Sequence, residues 1–291
     1  MLAAFPHLTL QASVTCTPAD ACGLLEGRTR FARLQLQELN LEGSLVAGSA
    51  LVAMPPALAT ALADARLQPG LERLTLSRLN LTAWDAAVCS TLRHLSFSHR
   101  LLSPAAALGL SRTLHDGALT SLRFDGGRGI HFDAAGAAEI GAALRANRTL
   151  MLLVLDRMIL AAPDAAVLVA SLVGHRSIRK LFLGGMHLDS AGAALAALVA
   201  ADAPALTELD VSSCGLGEAD LGALCDALPR NRHLRTLNIS NRVPAGFIRA
   251  RLLPGVRDNT GLRNLRFHAV AESDEEAALL EIQDIVRARL R

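Results

Sequence analysis

The residues that could take part in chemistry occur in only two suggestive arrangements. His131-Phe132-Asp133, and Asp85 with His94, could supply a proton donor and a proton acceptor. The 291 residues contain no Gly-x-Ser-x-Gly elbow, His-Glu-x-x-His motif or Walker sequence that would place such groups beside a nucleophile, a metal or a phosphate. Because isolated acid and base pairs arise by chance in a chain of this length, the sequence predicts a protein that is not an enzyme.

A glycine-rich segment and five cysteines are the other candidates for a chemical site. The segment 125–129, Asp-Gly-Gly-Arg-Gly, lacks the Gly-Lys-Ser/Thr sequence of a phosphate-binding loop, so we interpret it as a loop that accommodates an insertion. The cysteines show neither Cys-x-x-Cys nor Cys/His spacing. The sequence therefore predicts no disulfide framework, no metal site and no cofactor, with buried, reduced thiols at Cys214 and Cys225.

The elements that must position any site come from a repeat of 28 residues. Apolar-x-apolar triplets begin, each 28 residues after the last, at Leu153, Leu181, Leu209, Leu237 and Leu265. A fixed period of this size is typical of a solenoid. The alternation predicts a short strand, and the Ala/Leu-rich stretch behind it, such as 220–228, has helical spacing. One repeat is therefore predicted to be one strand and one helix.

These repeats resemble the leucine-rich repeat family, and their length and Gly-Ala-Leu helices resemble its ribonuclease-inhibitor-like class. The segments 191–195 and 221–224 are also similar to the signature of the GALA repeat proteins that plant-pathogenic bacteria inject into hosts. The resemblance implies an α/β solenoid with a curved parallel sheet on its concave side and helices on its convex side. The F-box that precedes GALA repeats is absent from this sequence, which weakens the expectation of a ligase-adaptor role.

The sequence departs from the family at the ninth repeat position, where asparagine or cysteine is usual. The residues assigned to this position are Leu39, Leu79, Arg100, Gly127, Met158, Met186, Cys214 and Arg242. We therefore expect the buried asparagine ladder to be missing and apolar packing or water to hold these turns.

Ten parallel strands are predicted in all, within a repeat domain that spans 1–272. Their starting points lie near Leu8, Leu34, Leu74, Leu95, Leu122, Leu153, Leu181, Leu209, Leu237 and Leu265. Irregular steps before the fourth strand predict a bend or an exposed loop within 44–70, where Pro55-Pro56 can start a helix. Beyond the repeats, Ser273 followed by Glu276 has the capping-box pattern, which predicts a C-terminal capping helix over 273–291.

Side chains between the inward leucines are expected to line the concave face of the sheet. Early strands contribute arginines such as Arg33 and Arg73, the centre contributes apolar residues such as Phe182, and Glu208 and Asp210 follow. An apolar centre with a charged rim is typical of a protein-binding patch. The predicted partner-binding residues are Arg73, His94, Arg123, Leu152, Val154, Asp156, Lys180, Phe182, Glu208, Asp210, Asn238 and Arg266.

Composition narrows the class of partner. The 29 Lys and Arg nearly balance the 27 Asp and Glu, for a net charge of +2, so nucleic-acid binding by bulk electrostatics is not expected. Since 18 uninterrupted apolar residues occur nowhere, no membrane span is expected either. The prediction is a soluble monomer, either cytoplasmic or secreted into a host cell.

The functional interpretation is a non-enzymatic module that binds a partner protein on its concave face, of the kind that bacteria secrete as effectors. The alternative is an intracellular scaffold, or an inhibitor that occludes an enzyme. Lys180 is the one lysine, and tyrosine is absent. Codon bias in a GC-rich bacterium or avoidance of ubiquitin acceptors would each produce this composition.

Overall fold

The computed structural model describes residues 10–27, 34–42, 52–53, 71–77, 79–80, 91–98, 104–124, 134–242, 246–268 and 275–290. The strands in these ranges are β1 Leu10–Cys16, β2 Leu34–Glu42, β3 Val52–Ala53, β4 Arg73–Ser77, β5 Leu79–Asn80, β6 His94–Ser98, β7 Ser121–Phe124, β8 Leu152–Val154, β9 Lys180–Phe182, β10 Glu208–Asp210, β11 Thr236–Arg242 and β12 Asn264–His268. The α-helices are α1 Pro18–Gly27, α2 Pro104–Asp116, α3 Ala134–Ala146, α4 Ala162–Ser171, α5 Gly192–Ala200, α6 Glu218–Ala227, α7 Leu253–Asp258 and α8 Glu276–Ala288. A 3-10 turn at Leu228–Arg230 follows α6, and a π-helical turn at Ile248–Leu252 leads into α7.

Ten strands form one parallel sheet in chain order, β1-β2-β4-β6-β7-β8-β9-β10-β11-β12, while β3 and β5 pair separately. Leu181 lies between Leu153 and Leu209 on the neighbouring strands, so residues 28 apart share a register. The predictions of a parallel ten-stranded sheet and of the solenoid repeat are confirmed. β1 begins at Leu10, and the predicted start at Leu8 lies outside the described residues.

The inward side chains of the strands and the helices form one core. Leu153 and Leu181 are at most 1% exposed and belong to the same cluster as Leu144 of α3. Phe97 and Phe124, on β6 and β7, stack with ring centroids 5.1 Å apart. Consecutive helices α2 to α6 contact one another, so the helices form a layer against one side of the sheet.

A β-bulge at Gln37 changes the register of β2. The pairing with β1 passes from Leu36 directly to Glu38, which leaves Gln37 without an opposite residue in β1. The extra residue reverses the alternation, so Leu39 faces the core, pairs with Leu74 and is fully buried. The assignment of Leu39 to a turn is therefore wrong.

The ninth-position turns combine apolar packing with two polar contacts. Met158 and Met186 are buried, as expected if apolar side chains replace the ladder. The Cys214 thiol donates to the carbonyl of Leu183 at 3.0 Å. One rung of an asparagine ladder is also present, at Asn241.

Asn241 occupies the ladder position that the 28-residue spacing predicted for Arg242. Its side-chain oxygen accepts the N–H of Cys214 at 2.9 Å, and its amide donates to the carbonyl of Val211 at 2.8 Å. The pairing of β11 with β12 also shifts register between Asn238 and Arg242, so this strand is irregular where it leads into the turn. The expectation that the ladder is entirely missing is therefore wrong at this repeat.

A second polar ladder, not anticipated from the sequence, occupies the junction between a helix and the next strand in four repeats. Its residues, which we call the junction ladder, are Asn147, His175, Asn231 and Asn259. The Asn231 amide donates to the carbonyl of Val199 at 2.7 Å, and its oxygen accepts the N–H of Leu234 at 2.8 Å. Ala203 stands at the intervening position of the period. Each rung satisfies backbone groups that the end of a helix leaves unpaired.

The helix α8 packs on α7 and on the π-helical turn before it. It begins at Glu276 after Glu275, and no side-chain hydrogen bond caps it, so the predicted role of Glu276 in a capping box is wrong. The buried Glu275 carboxylate instead accepts the N–H of Ile248 at 3.0 Å. The Arg289 guanidinium donates to carbonyls of the preceding repeat, including that of Val256 at 2.7 Å.

The outer side of α8 exposes two apolar residues. Ile282 is buried, whereas Leu280 and Leu290 are 56% and 66% exposed. Arg257 of α7 and Glu281 form an ion pair with a shortest N–O distance of 2.6 Å.

Several predicted features fall on residues outside the described ranges. They are Arg33, Pro55-Pro56, Asp85, Cys89, Arg100, 125–129, His131, Asp133 and Ser273. Within the described ranges, no helix is long and apolar enough to cross a membrane. The same ranges hold no group of three or more His, Cys, Asp or Glu arranged to bind a metal ion.

Candidate protein-binding face

The side chains that alternate with the core leucines form a surface that we call the open face. Its predicted binding residues are Arg73, His94, Arg123, Leu152, Val154, Asp156, Lys180, Phe182, Glu208, Asp210, Asn238 and Arg266. Val154 is 5% exposed yet does not belong to the core cluster that contains Leu153 and Leu155. Successive strand side chains point to opposite sides of a sheet, so the open face lies opposite the helices.

The early end of the open face has charges of both signs. The bulge in β2 places Glu38 beside Arg73, and His94 lies on the other side of Arg73. Burial and the Arg73 charge lower the pKa of His94, against the opposing effect of Glu72, so the imidazole is neutral at pH 7. The prediction that this end is basic is corrected, because the bulge changes which β2 residues face outward.

The centre of the open face is apolar, but less of it is exposed than predicted. Leu152 and Phe182 are partly exposed, whereas Val154, between Arg123 and Phe182 on adjacent strands, is buried. Neither Leu152 nor Phe182 packs against the core cluster. Val154 therefore supports this patch from within, and Leu152 and Phe182 form its accessible surface.

Acidic and amide side chains border the apolar centre in a hydrogen-bonded row. Asp156 accepts the N–H of Gly184 at 2.9 Å, and Asp210 accepts the hydroxyl of Ser212 at 2.6 Å. The Asn238 amide donates to the second oxygen of Asp210 at 2.7 Å. These bonds hold Asp156, Asp210 and Asn238 in fixed positions beside Phe182. The sequence pattern did not predict this row, although two of its members, Asp210 and Asn238, are 28 residues apart.

The remaining predicted residues lie at the margins. Lys180 and Glu208 form an ion pair at 2.8 Å, with side-chain exposures of 54% and 27%. Arg123 is exposed beside Val154, and Arg266 is exposed beside Asn238 on the last described strand. The predicted binding residues from Leu152 to Asn238 lie on the neighbouring strands β8 to β11 and form one contiguous area. Arg73 on β4 and His94 on β6 are separated from this area by β7.

The thiols do not offer nucleophiles to this face. Burial raises the pKa of Cys214 to about 12, and burial likewise raises that of Cys225 to about 12. A thiol with so high a pKa is not ionised near neutral pH and does not react readily. The prediction that both are buried is confirmed.

The sequence is similar to that of several known proteins that contain leucine-rich repeats. No protein-family model matches the chain. NACHT, LRR and PYD domains-containing protein 5 of Bos taurus is 28% identical over 253 residues, which cover 76% of this chain and 22% of that protein. Leucine-rich repeat-containing protein 73 of Rattus norvegicus and of Homo sapiens is 29% identical over 195 residues, covering 65% of this chain and 60% of that protein.

Among solved structures, the leucine-rich repeat-containing protein LegL7 from Legionella pneumophila superposes with a TM-score of 0.50 and 15% sequence identity, covering 99% of this chain and 93% of that chain. The chain is a leucine-rich repeat protein. The identity to LegL7 is low, so that likeness concerns the fold alone. This leucine-rich repeat protein spans about a fifth of the bovine relative's length and three fifths of the length of protein 73. None of these matches indicates a catalytic family, and the relatives are consistent with a module for protein–protein interaction.

Proposed function

We propose that this leucine-rich repeat protein binds a partner protein on its open face, with Leu152 and Phe182 as the anchors. The observation that supports the proposal is the partial exposure of Phe182 on a regular strand, away from the core. An aromatic side chain turned away from the core contributes little to folding. Aromatic anchors of this kind are enriched among the residues that dominate interface energies.

The surroundings of the anchors suggest what the partner presents. Asp156 and Asp210 are held by hydrogen bonds beside Phe182, and Arg123 lies on the other side of Val154. Fixed charges around an apolar centre exclude partners with mismatched charges. The partner that fits is an apolar side chain flanked by a basic group toward the acids and an acidic group toward Arg123.

We infer that the protein acts in a host cell as a secreted bacterial effector. The resemblance of segments 191–195 and 221–224 to the GALA repeat signature and the single lysine support this inference. The alternative is a scaffold or an inhibitor inside the cell that makes it. In either case the chemistry is binding without catalysis.

The test is affinity capture with the wild-type chain and Phe182→Ala, from lysate of the producing cell and of a candidate host, with quantitative mass spectrometry. The protein that depends on Phe182 is then titrated against both chains by calorimetry. Removing a central aromatic anchor costs about 2 kcal/mol or more, which corresponds to roughly thirtyfold weaker binding.

Val167→Ala provides the matched control, because Val167 is an apolar side chain that is 48% exposed on α4. The control should bind as tightly as the wild type. If Phe182→Ala and Val167→Ala bind the partner equally well, the open face is not the interface. Capture from bacterial lysate only would favour the scaffold or inhibitor over the effector.

A further inference from the structure

The edge at which the strands begin has a row of arginines outside the open face. Their positions recur with the repeat, and the members, which we call the arginine edge, are Arg148, Arg176, Arg179, Arg232, Arg235 and Arg263. Backbone hydrogen bonds hold the row in place. The N–H of Arg179 donates to the carbonyl of Met151 at 2.8 Å, and the N–H of Arg263 donates to the carbonyl of Arg235 at 2.8 Å. Adjacent strands are ~4.8 Å apart, so arginines of successive repeats lie side by side.

Three of these arginines surround a shallow groove. Arg148, Arg176 and Arg179 line it together with Met151, whose side chain is 39% exposed. Pro204 stands where the repeats on either side have Arg176 and Arg232, so the row is interrupted by a smaller side chain. The groove therefore has cationic walls and an apolar element within them.

The charges of this groove are not neutralised by the chain itself. Within the described residues, neither Arg176 nor Arg179 forms a side-chain hydrogen bond or an ion pair with a carboxylate. The Arg148 guanidinium donates to the backbone carbonyls of Arg145 and Asn147 at 2.7 and 2.8 Å. The nearby carboxylate of Asp202 is engaged elsewhere, since it accepts the N–H of Arg232 at 2.7 Å and contacts the ring of His233 at 2.9 Å.

We propose that this groove binds an acidic segment of a protein chain, with carboxylates on Arg176 and Arg179 and an apolar side chain against Met151. The guanidinium fork matches a carboxylate with two parallel hydrogen bonds, and methionine adapts its shape to apolar groups. A nucleic acid fits less well, because single strands stack their bases on aromatic side chains and none lines the groove. The proposal goes beyond the proposed function, since it uses a different surface.

The test measures fluorescence anisotropy of a labelled peptide of glutamates around a central leucine, titrated with the full chain. The matched peptide has glutamine in place of every glutamate. The double variant Arg176→Glu/Arg179→Glu is compared with Arg249→Glu/Arg287→Glu, which changes the net charge equally at exposed helical positions. We expect salt-sensitive binding of the glutamate peptide, at least tenfold weaker in the first double variant and within twofold of wild type in the second.

Equal losses in the two double variants would show that net charge alone attracts the peptide, and the proposal would be wrong. It would also be wrong if the glutamine peptide bound as tightly, or if single-stranded DNA of equal length bound more tightly than the glutamate peptide. Should the double variant fail to fold by circular dichroism, Arg179→Gln replaces it, with a threefold or greater loss expected. Phe182→Ala should bind the peptide like the wild type, which separates this outcome from that of the proposed function.

Discussion

The junction ladder and the open face are two sets of positions built on the same 28-residue period, and they differ in what they repeat. The ladder has asparagine or histidine at four of its positions, each bonded to backbone. The open face changes its chemistry from strand to strand, from Arg123 through Val154 and Phe182 to Asp210.

The difference follows from what each set must satisfy. Every repeat ends a helix and starts a strand, so every repeat has the same buried backbone groups to pair. The open face needs no particular side chain for folding, so its composition is free to match a partner. Uniform positions of the period therefore specify the fold, and variable positions specify recognition.

The largest effect on stability is expected from removing residues 273–291, which we propose form a C-terminal cap. Ala278 and Ile282 bury apolar surface, and Glu275 and Arg289 pair with backbone groups of the preceding repeat. Burial of two or three such side chains and these bonds amounts to about 4 kcal/mol. Urea unfolding followed by circular dichroism should show this loss, and light scattering should show association.

The matched control for the truncation is the full chain with Leu280→Ser, since Leu280 is 56% exposed. That variant should unfold at the wild-type urea concentration. A truncated chain that remains monomeric with an unchanged unfolding midpoint would mean that α8 is an appendage and not a cap.

The next largest effect is expected from Asn231→Ala in the junction ladder. The substitution leaves the carbonyl of Val199 and the N–H of Leu234 without their side-chain partner, and the N–H of His233 keeps only its longer bond to Asp202 at 3.3 Å. Buried polar groups that lose a partner cost about 1–3 kcal/mol, so we expect a loss of about 3 kcal/mol in the free energy of unfolding. Asn264→Ala, at an exposed position of β12, should change it by less than about 0.5 kcal/mol. Equal effects of the two substitutions would remove the contrast between the ladder and the open face.

A smaller, pH-dependent effect is expected from His175, the one histidine in the described ladder. Burial lowers its pKa below the ordinary 6.5, a hydrogen bond to the carbonyl of Leu144 opposes this, and the Arg148 charge adds to it. Its folded-state pKa lies below the unfolded value, so its contribution is fully present above pH 6.5 and decreases as the pH falls through the folded pKa.

The measurement is the urea midpoint between pH 7.5 and pH 5 for the wild type and for His175→Asn. The asparagine reproduces the other rungs without titrating, so the variant should lose less stability on acidification. His94, whose pKa is also lowered, stays in both proteins as an internal background. An identical pH dependence in the two chains would show that His175 does not titrate on unfolding.

The fold could be predicted from the sequence because the same strand pattern recurs in several repeats at a fixed spacing. A single period-two pattern is ambiguous, but Leu181, Leu209 and Leu237 at equal spacing leave only a stacked parallel sheet. The prediction failed where the strands are irregular. The bulge at Gln37 moved Leu39 into the core, and in β11, which also contains a register shift, the ladder residue is Asn241 and not Arg242. A local irregularity of this kind leaves the hydrophobic composition unchanged, so it cannot be predicted from composition.

The candidate site was predicted less completely than the fold. Alternation correctly assigned Phe182 to the face away from the core, but it could not show that Val154 is covered by its neighbours. Burial on the open face depends on the sizes of side chains on adjacent strands, which a single strand does not contain. The junction ladder has a signal in the sequence, since Asn231 and Asn259 are 28 residues apart, but Ala203 interrupts the series one repeat earlier.

The smallest effect on stability is expected from Phe182→Ala, and this variant tests most directly whether the open face is separate from the folding core. Leu181 and Leu183 on either side are at most 1% exposed in the core, whereas Phe182 is partly exposed and does not pack against the core cluster. Truncating it removes packing beside Val154 only at the surface of the sheet, so the free energy of unfolding should fall by less than about 1 kcal/mol. Leu181→Ala on the same strand is the matched control and should cost about 2–5 kcal/mol. Both are measured by urea unfolding. If Phe182→Ala destabilised the chain as much as Leu181→Ala does, the open face would be part of the folding core, and its variation from repeat to repeat would need an explanation other than recognition.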